Sequence, residues 1–405
     1  MGKVFPHVRD APRVAATAVA KPEVYVVIPV FNRLTFTLAC LNGLHEQTFA
    51  PLHVIVVDGG SDDGTPEVVR RHFPHVVLLQ DERPLWWGGA MQLGIDYCLR
   101  QSRDDHGMLL MMNNDTVIER HYVETLVRVS SEHDAAVCGV IVDSRDPTRV
   151  LDAGEFVDWD TYSFPVNTSI DPRNEPFAEV DLLSGRGTLV PLSMIRAAGN
   201  VKGDRFPHYI SDCEFFARLK RHGFRLGVTP EVAIRSHVEA TGLHTLKAAK
   251  LTLSQAWNAL FSIKSMDNVR DHWRFIEDCA PAALRARLKR QLIHRSVYLV
   301  LSRTFLRHVV LPVAWAVAGT YYVTRQDCAE TGCDAEALVA AGILKPWRRP
   351  DWYVFEHQTR TRLHGRALRA LYRRAWNPAT KLPRWFKAKS RSKDGDRGAE
   401  NAILS

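Results

Sequence analysis

A chain of 405 residues with 46% hydrophobic and 24% charged side chains can bury a large core, which excludes a disordered or fibrous protein. The net charge of +8 admits nucleic acid, anionic lipid or phosphorylated substrates as partners, but no recognition helix or zinc-ligand spacing supports nucleic acid. Seven cysteines without a CxxC pair suit buried thiols in a reduced, cytosolic protein.

Residues 1–22 read as a polar leader, and Met1 to Lys21 has no uninterrupted apolar core of the signal-peptide kind. From Val24 the pattern alternates strand and helix. Val24–Ile28, ended by Pro29, is a continuous apolar run suited to a buried parallel strand. Thr35–Glu46 places Leu38, Leu41 and Leu44 on one helical face. His53–Val57 is a second strand, closed by Asp58. Thr65-Pro66-Glu67 reads as a helix start, with Thr65 as cap and Pro66 at the first helical position. Val76–Leu79 follows as a strand, Ala90–Leu99 as a helix and Met108–Met112 as a strand. This alternation predicts an α/β fold with a parallel sheet and helices on both faces.

Residues 143–180 lose the rhythm and predict irregular structure or short antiparallel strands. A strand at Gly187–Val190, a helix from about Ser193 and a strong helix over Asp212–Arg221 follow. Two short strands are predicted at Arg225–Val228 and Val232–Ser236. Beyond about residue 245 the pattern is mainly helical and amphipathic. Within it, Val309–Val323 is apolar but interrupted by Pro312 and Gly319, and is shorter than the ~20 residues of a membrane span. It reads as a core helix or as a helix lying in a membrane interface. Lys381–Lys393 carries six basic residues and no acid. The expected organisation is therefore a leader over 1–22, an α/β domain over 23–244, a helical region over 245–380 and a basic, disordered tail over 381–405.

Four places could carry chemistry. Pro29-Val30-Phe31-Asn32-Arg33 and Asp58-Gly59-Gly60-Ser61-Asp62-Asp63 both follow apolar strands, where an open α/β sheet binds its ligands. A carboxylate there can accept hydrogen bonds from a base or ribose; the alternative is a pair of ordinary acidic turns. Trp86-Trp87-Gly88-Gly89 opens a helix, with indoles for stacking and an N-terminus for an anion, or else packs in the core. Leu109-Leu110-Met111-Met112-Asn113-Asn114-Asp115 ends an apolar strand in a carboxylate that can hold a hard cation, which in turn can hold a diphosphate. His237 ends another strand and is either a second ligand or a core histidine. Asp212 falls in the first turn of its helix, where the dipole favours its ionised form, so it is either a general base or a cap.

Taken in order along residues 24–242, these segments resemble the family 2 glycosyltransferases of the GT-A fold. VIPVFNR is similar to the opening strand and loop of that family, VVDGGSDDGT to its nucleotide-binding strand end and MMNNDT to its DxD motif. ISDCEFFARLKRHGF is similar to the helix bearing its catalytic base, and IRSH to the strand end that supplies a metal-binding His. The NND form is most similar to bacterial rhamnosyltransferase- and galactofuranosyltransferase-like enzymes of cell-surface polysaccharide synthesis.

The resemblance implies a GT-A nucleotide-binding sheet followed by a mainly helical C-terminal region. It implies donor contacts from Pro29, Phe31, Asn32, Arg33, Asp58, Gly88, Gly89, Asn113, Asn114 and Asp115. It implies a divalent metal, Mn2+ or Mg2+, on Asp115 and His237, and an acceptor or sugar pocket shaped by Trp86, Trp87 and Glu214. Asp212 would deprotonate the acceptor in a single inverting displacement. The partners so implied are a nucleotide-diphosphate sugar and a glycan or lipid-linked glycan. An anionic inner membrane leaflet would suit the basic C-terminal clusters of a cytoplasmic, peripheral enzyme. Gly59 and Asn113 depart from the family pattern, which common members fill with an acid or Asn and with an acid. They leave open a nucleotide-sugar- or glycan-binding protein of the same fold without catalysis. Nucleotidyl transfer is disfavoured, because VIPVFNR holds no glycine for a phosphate loop.

Overall fold

A computed structural model describes residues 21–81, 85–102, 106–169, 176–237, 252–301, 320–325, 334–340, 344–346, 352–356, 376–377 and 382–383. These divide into two compact units that are not contiguous in sequence. The first takes in the described residues up to Val157, then Phe164–Asp204 and from Ser211 to His237. The second takes in Asp158–Ser163, Arg205–Ile210 and the described residues from Thr252 onward.

In the first unit the apolar runs form strands as their composition dictates: β1 (Val24–Val30), β2 (Leu52–Asp58), β3 (Val77–Gln80) and β4 (Met108–Met111). β1 runs parallel to β2 and β4, with Val30 opposite Asp58 and Val27 opposite Met111, so the ends of all three strands lie at one edge. Between them run α1 (Leu34–His45), α2 (Thr65–His72) and α3 (Trp87–Gln101). Thr65 is the first residue of α2 rather than its cap. Gly64 precedes it in a left-handed conformation, and the Thr65 hydroxyl bonds the Asp63 carboxylate instead.

The remainder of the sheet differs from a purely parallel one. After β5 (Thr116–Ile118) and α4 (Tyr122–His133) comes β6 (Ala135–Asp143), buried at all nine positions. The sequence reading places no strand between Met112 and Asp143. Ala135, Ala136 and Gly139 are weak strand formers, and pairing on both sides imposes the conformation. β7 (Val150–Asp152) and β8 (Ala178–Glu179) are short antiparallel strands, as expected for 143–180. β9 (Thr188–Pro191) lies between β4 and β6 and is antiparallel to both, which makes the sheet mixed. After α5 (Leu192–Ala198) and α6 (Ser211–Arg221), residues 225–236 form one long strand, β10, not two. Its register on β6 shifts between Thr229 and Ala233, where Pro230 cannot donate to the ladder. The strand order is β3-β2-β1-β4-β9-β6-β10-β5, with β7 on β6 and β8 on β10.

In the second unit α7 (Leu253–Phe261), opened by a Thr252/Gln255 capping box, is followed by α8 (Val269–Cys279) and α9 (Arg285–Val300). The helical expectation ends there. β11 (Thr320–Thr324) pairs with β13 (Trp352–Glu356), which pairs with β12 (Lys345–Pro346), in an antiparallel sheet; α10 (Ala335–Ala340) precedes β12. Residues 320–323 of the expected Val309–Val323 helix are therefore strand, and 309–319 lie outside the described residues. β14 (Trp376–Asn377) pairs with β15 (Leu382–Pro383). The leader up to residue 20 and the tail from 384 also lie outside the described residues.

Candidate active site

The first two strand ends are laced together. Gly59 N–H donates to Val30 O at 2.8 Å. Asn32 N–H donates to Ser61 Oγ at 2.7 Å, Asp62 N–H to Asn32 Oδ1 at 2.9 Å and Leu34 N–H to Asp63 Oδ2 at 2.9 Å. Asp58 is fully buried. Its carboxylate accepts from the Ser61 hydroxyl and amide and from Gln80 Nε2 at 3.3 Å, so in this structure its oxygens order the loop. A Cβ on Gly59 would lie 2.8 Å from Leu85 O, which explains why an acid or Asn has no room at that position. Phe31, following β1, keeps 61% of its surface exposed and offers a ring face at the sheet edge.

At the end of β4 the three polar residues have different duties. Asn114 donates to Thr37 Oγ1 at 3.0 Å and is buried. Asn113 Oδ1 accepts from Trp87 Nε1 at 2.8 Å, tying the start of α3 to this strand end. Asp115 Oδ2 accepts from Arg33 Nη1 at 3.0 Å, while its Oδ1 is buried without a hydrogen-bond partner. His237, following β10, donates its backbone N–H to Asp115 O at 3.3 Å. Its Nδ1 meets Ser144 Oγ at 3.0 Å, which leaves Nε2 as the ring nitrogen for a ligand.

A buried carboxylate oxygen without a partner is costly unless something positive satisfies it. An Asp and a His on adjoining strand ends form a donor set that fits a divalent cation whose other ligands are phosphate oxygens and water. Among the described residues no group of three His, Cys, Asp or Glu could hold a metal by itself, so the substrate would have to complete the shell.

Asp212 sits in the first turn of α6, bonded by Gly185 N–H at Oδ2 and by Cys213 N–H at Oδ1, both at 3.0 Å. Trp87 packs directly over Gly185, where an added Cβ would come 2.3 Å from the indole. Trp87 thus links Asn113 on one side to the loop that holds Asp212 on the other. Trp86 and Gly89 are half-buried and Gly88 is buried, at the N-terminus of α3. Pro29 lies within β1 opposite Val57. Glu214 stands apart: it is 1% exposed, and its oxygens are committed to Lys202 Nζ at 2.8 Å and to Arg218 Nε and Nη2 at 2.9 and 3.0 Å. In this structure it buttresses α6.

Sequence reasoning does not find three further groups. Arg186 donates from Nε to Ser184 Oγ at 3.1 Å and from Nη1 to Ser236 Oγ at 3.2 Å, next to His237. Asp152 and Glu155 flank it in the irregular stretch, where no periodicity marks them. Burial, with the charges of Asp152 and Asp212 added, pushes the Glu155 carboxyl up to about 8, and Asp152 is raised by burial as well. Burial and then Asp212 drive the Cys213 thiol far above its ordinary range, so it is no nucleophile.

The chain matches the family described as Glycosyl transferase family 2 over residues 25–181 and that described as Glycosyl transferase family group 2 over residues 108–325. Putative glycosyltransferase EpsH of Bacillus subtilis (strain 168) is 24% identical over 137 residues, covering 33% of this chain and 38% of that protein. Glycosyltransferase AglE of Haloferax volcanii is 38% identical over 68 residues, covering 15% of this chain and 22% of that one. The chain thus spans no more than 38% of the length of the curated relatives it matches. Among solved structures, mannosyltransferase PcManGT from Pyrobaculum calidifontis in complex with GDP-Man and Mn2+ is 19% identical at a TM-score of 0.43, covering 80% of this chain and 79% of that chain. S. aureus TarS is 16% identical at a TM-score of 0.41, covering 73% of this chain and 48% of that chain.

Proposed function

Because the chain belongs to glycosyl transferase family group 2, we propose that it moves a sugar from a nucleotide-diphosphate donor to a hydroxyl of a glycan or lipid-linked glycan, with inversion. Its mixed α/β sheet is of the GT-A-like kind. The observation that carries the reading is the buried, unpartnered Oδ1 of Asp115 at a strand end shared with His237.

A divalent cation on Asp115 and His237, Mn2+ or Mg2+, would supply positive charge for the leaving diphosphate. Phe31 offers a face for the base, while Asn32 holds the loop beside it and Arg33 pairs with Asp115. Trp87, fixed by Asn113 and Gly185, walls the space between donor and acceptor. Asp212 receives the acceptor's proton as the hydroxyl oxygen attacks the anomeric carbon from the face opposite the nucleotide. The amides of Gly185 and Cys213 orient its carboxylate for that transfer.

The NND motif supports a hexose or deoxyhexose donor of the rhamnosyl or galactofuranosyl kind and a role in cell-surface polysaccharide. Among the described residues no helix is long and apolar enough to cross a membrane. Peripheral attachment to the inner leaflet is supported by α9. It holds Arg285, Arg287, Lys289, Arg290 and Arg295 and no acid, Arg287 and Lys289 being paired with Asp160 and Glu277, with Val297, Tyr298 and Leu301 exposed beyond them.

The test is Asp212→Asn, assayed for transfer and for donor binding by thermal shift with and without Mn2+. Transfer falls at least a hundredfold, about the smaller end of what a general base contributes, while donor binding persists. Loss of donor binding together with transfer would show that Asp212 is structural.

A further inference from the structure

We propose that Arg33 is the resident counter-cation of Asp115: it pairs with the carboxylate in the absence of a divalent ion and yields it when one binds, turning its own charge to the donor's diphosphate. The inference rests on the donor-site reading above but concerns a different matter, the exchange of cations at one carboxylate.

The pair is built asymmetrically. Arg33 reaches only Oδ2, through Nη1 at 3.0 Å, and leaves Oδ1 buried and unmatched. A pair evolved solely for stability would favour the bidentate fork that guanidinium and carboxylate can make. The two ends also differ in exposure. Asp115 is fixed, because its carbonyl accepts from His237 N–H and its side chain is 11% exposed. The Arg33 side chain, at the end of a long stem, is 42% exposed.

Its backbone, by contrast, is held. Asn32 and Arg33 both lie in the left-handed region, at φ 58° and 65°, an uncommon pairing for residues other than glycine. The Ser61, Asp62 and Asp63 hydrogen bonds hold the loop there. Strain kept at a ligand-facing loop is a mark of functional placement. The charges agree. Arg33 neutralises Asp115 while the site is without donor. A divalent ion added there releases a guanidinium beside the same carboxylate, which leaves the excess positive charge a diphosphate needs.

The experiment titrates the full chain with Mn2+ alone, and then with uridine, thymidine and guanosine diphosphates at saturating Mn2+, by calorimetry and by electron paramagnetic resonance of free Mn2+. The variants are Arg33→Gln, Arg33→Lys and Asp115→Asn, each checked for an unchanged melting transition. Loss of an exposed ion pair worth ~0.2–1 kcal/mol should let Arg33→Gln bind Mn2+ alone about 1.4- to 5-fold tighter. The same variant should bind the preferred nucleoside diphosphate several-fold more weakly. Arg33→Lys should follow the natural protein in both. The Mn2+ advantage of Arg33→Gln should shrink as salt is raised.

Unchanged or weaker Mn2+ binding in Arg33→Gln would overturn the proposal, as would a change of the same sign for metal and nucleotide. Mn2+ binding untouched by Asp115→Asn would overturn the metal site itself, a failure distinct from that of Arg33.

Discussion

Gly185→Ala adds a single methyl group at the point where Trp87 crosses the loop that holds Asp212. The new Cβ would lie 2.3 Å from Trp87 Cζ2 and 2.5 Å from Cη2. Restoring an ordinary carbon–carbon contact near ~3.7 Å requires the ring or loop to move by about 1.4 Å. A ring displacement of that size breaks the 2.8 Å bond from Trp87 Nε1 to Asn113 Oδ1; a loop displacement breaks the 3.0 Å bond from Gly185 N–H to Asp212. Overpacking costs ~1–3 kcal/mol and a lost hydrogen bond ~0.5–1.5, so the variant should lose about 2–4 kcal/mol. At ~2–4 °C per kcal/mol for a unit of this size, melting should fall by roughly 4–16 °C. Misplacing a catalytic group by ~1 Å can cost ~100-fold in rate, and kcat/KM should fall by about that factor at a temperature where the variant is folded. Scanning calorimetry and initial-rate transfer assays measure both. Adding Trp87→Phe should recover part of the melting temperature, because the smaller ring vacates the contested space. A Gly185→Ala variant with natural melting and natural turnover would refute the linkage of Trp87 to the base.

Glu214→Ala strands the Arg218 guanidinium, 10% exposed, without its carboxylate, and should cost ~3–5 kcal/mol in chemical denaturation, whereas Glu214→Gln should cost clearly less. The Glu155 carboxyl, raised by burial to about 8, keeps its proton in the folded state at pH values where the unfolded chain has released it. Stability should therefore fall as pH rises from about 4.5 to 8, by at most ~1.4 kcal/mol per pH unit for this one group. Glu155→Gln should flatten that slope, seen by denaturant titration across the range, and an unchanged slope would count against it. Cys40 and Cys98, pushed by burial to about 12, and Cys138, to about 11, should resist alkylation by iodoacetamide at pH 8 in the native protein. Peptide mass spectrometry after unfolding should show them labelled; rapid native labelling would contradict their burial.

The local sequence determined the elements of the first half. Val24–Ile28, His53–Val57 and Met108–Met112 are long apolar runs that form strands, although the first continues through Pro29 to Val30 instead of ending at the proline. The end-of-strand position of Asp115 and the helix-start position of Asp212 follow from the same reading, since both depend only on where a run begins or stops. Tertiary structure decided the rest. β9 enters antiparallel between β4 and β6, and residues 225–236 join into one bulged strand, because register is set by partners far away in sequence.

Side-chain duties divide in the same way. Asp58 and Glu214 look alike in sequence to Asp115 and Asp212. Their partners, Ser61 and Gln80 for one and Arg218 and Lys202 for the other, take up their oxygens, whereas Asp115 keeps one oxygen without a partner. Arg186, Asp152 and Glu155 stand in a stretch with no periodicity, so nothing local marks them. The orphaned oxygen of Asp115 and the guanidinium of Arg33 are 82 residues apart in the chain. A charge's meaning rests on what lies within a few ångströms of it, and that separation is set by the folded sheet.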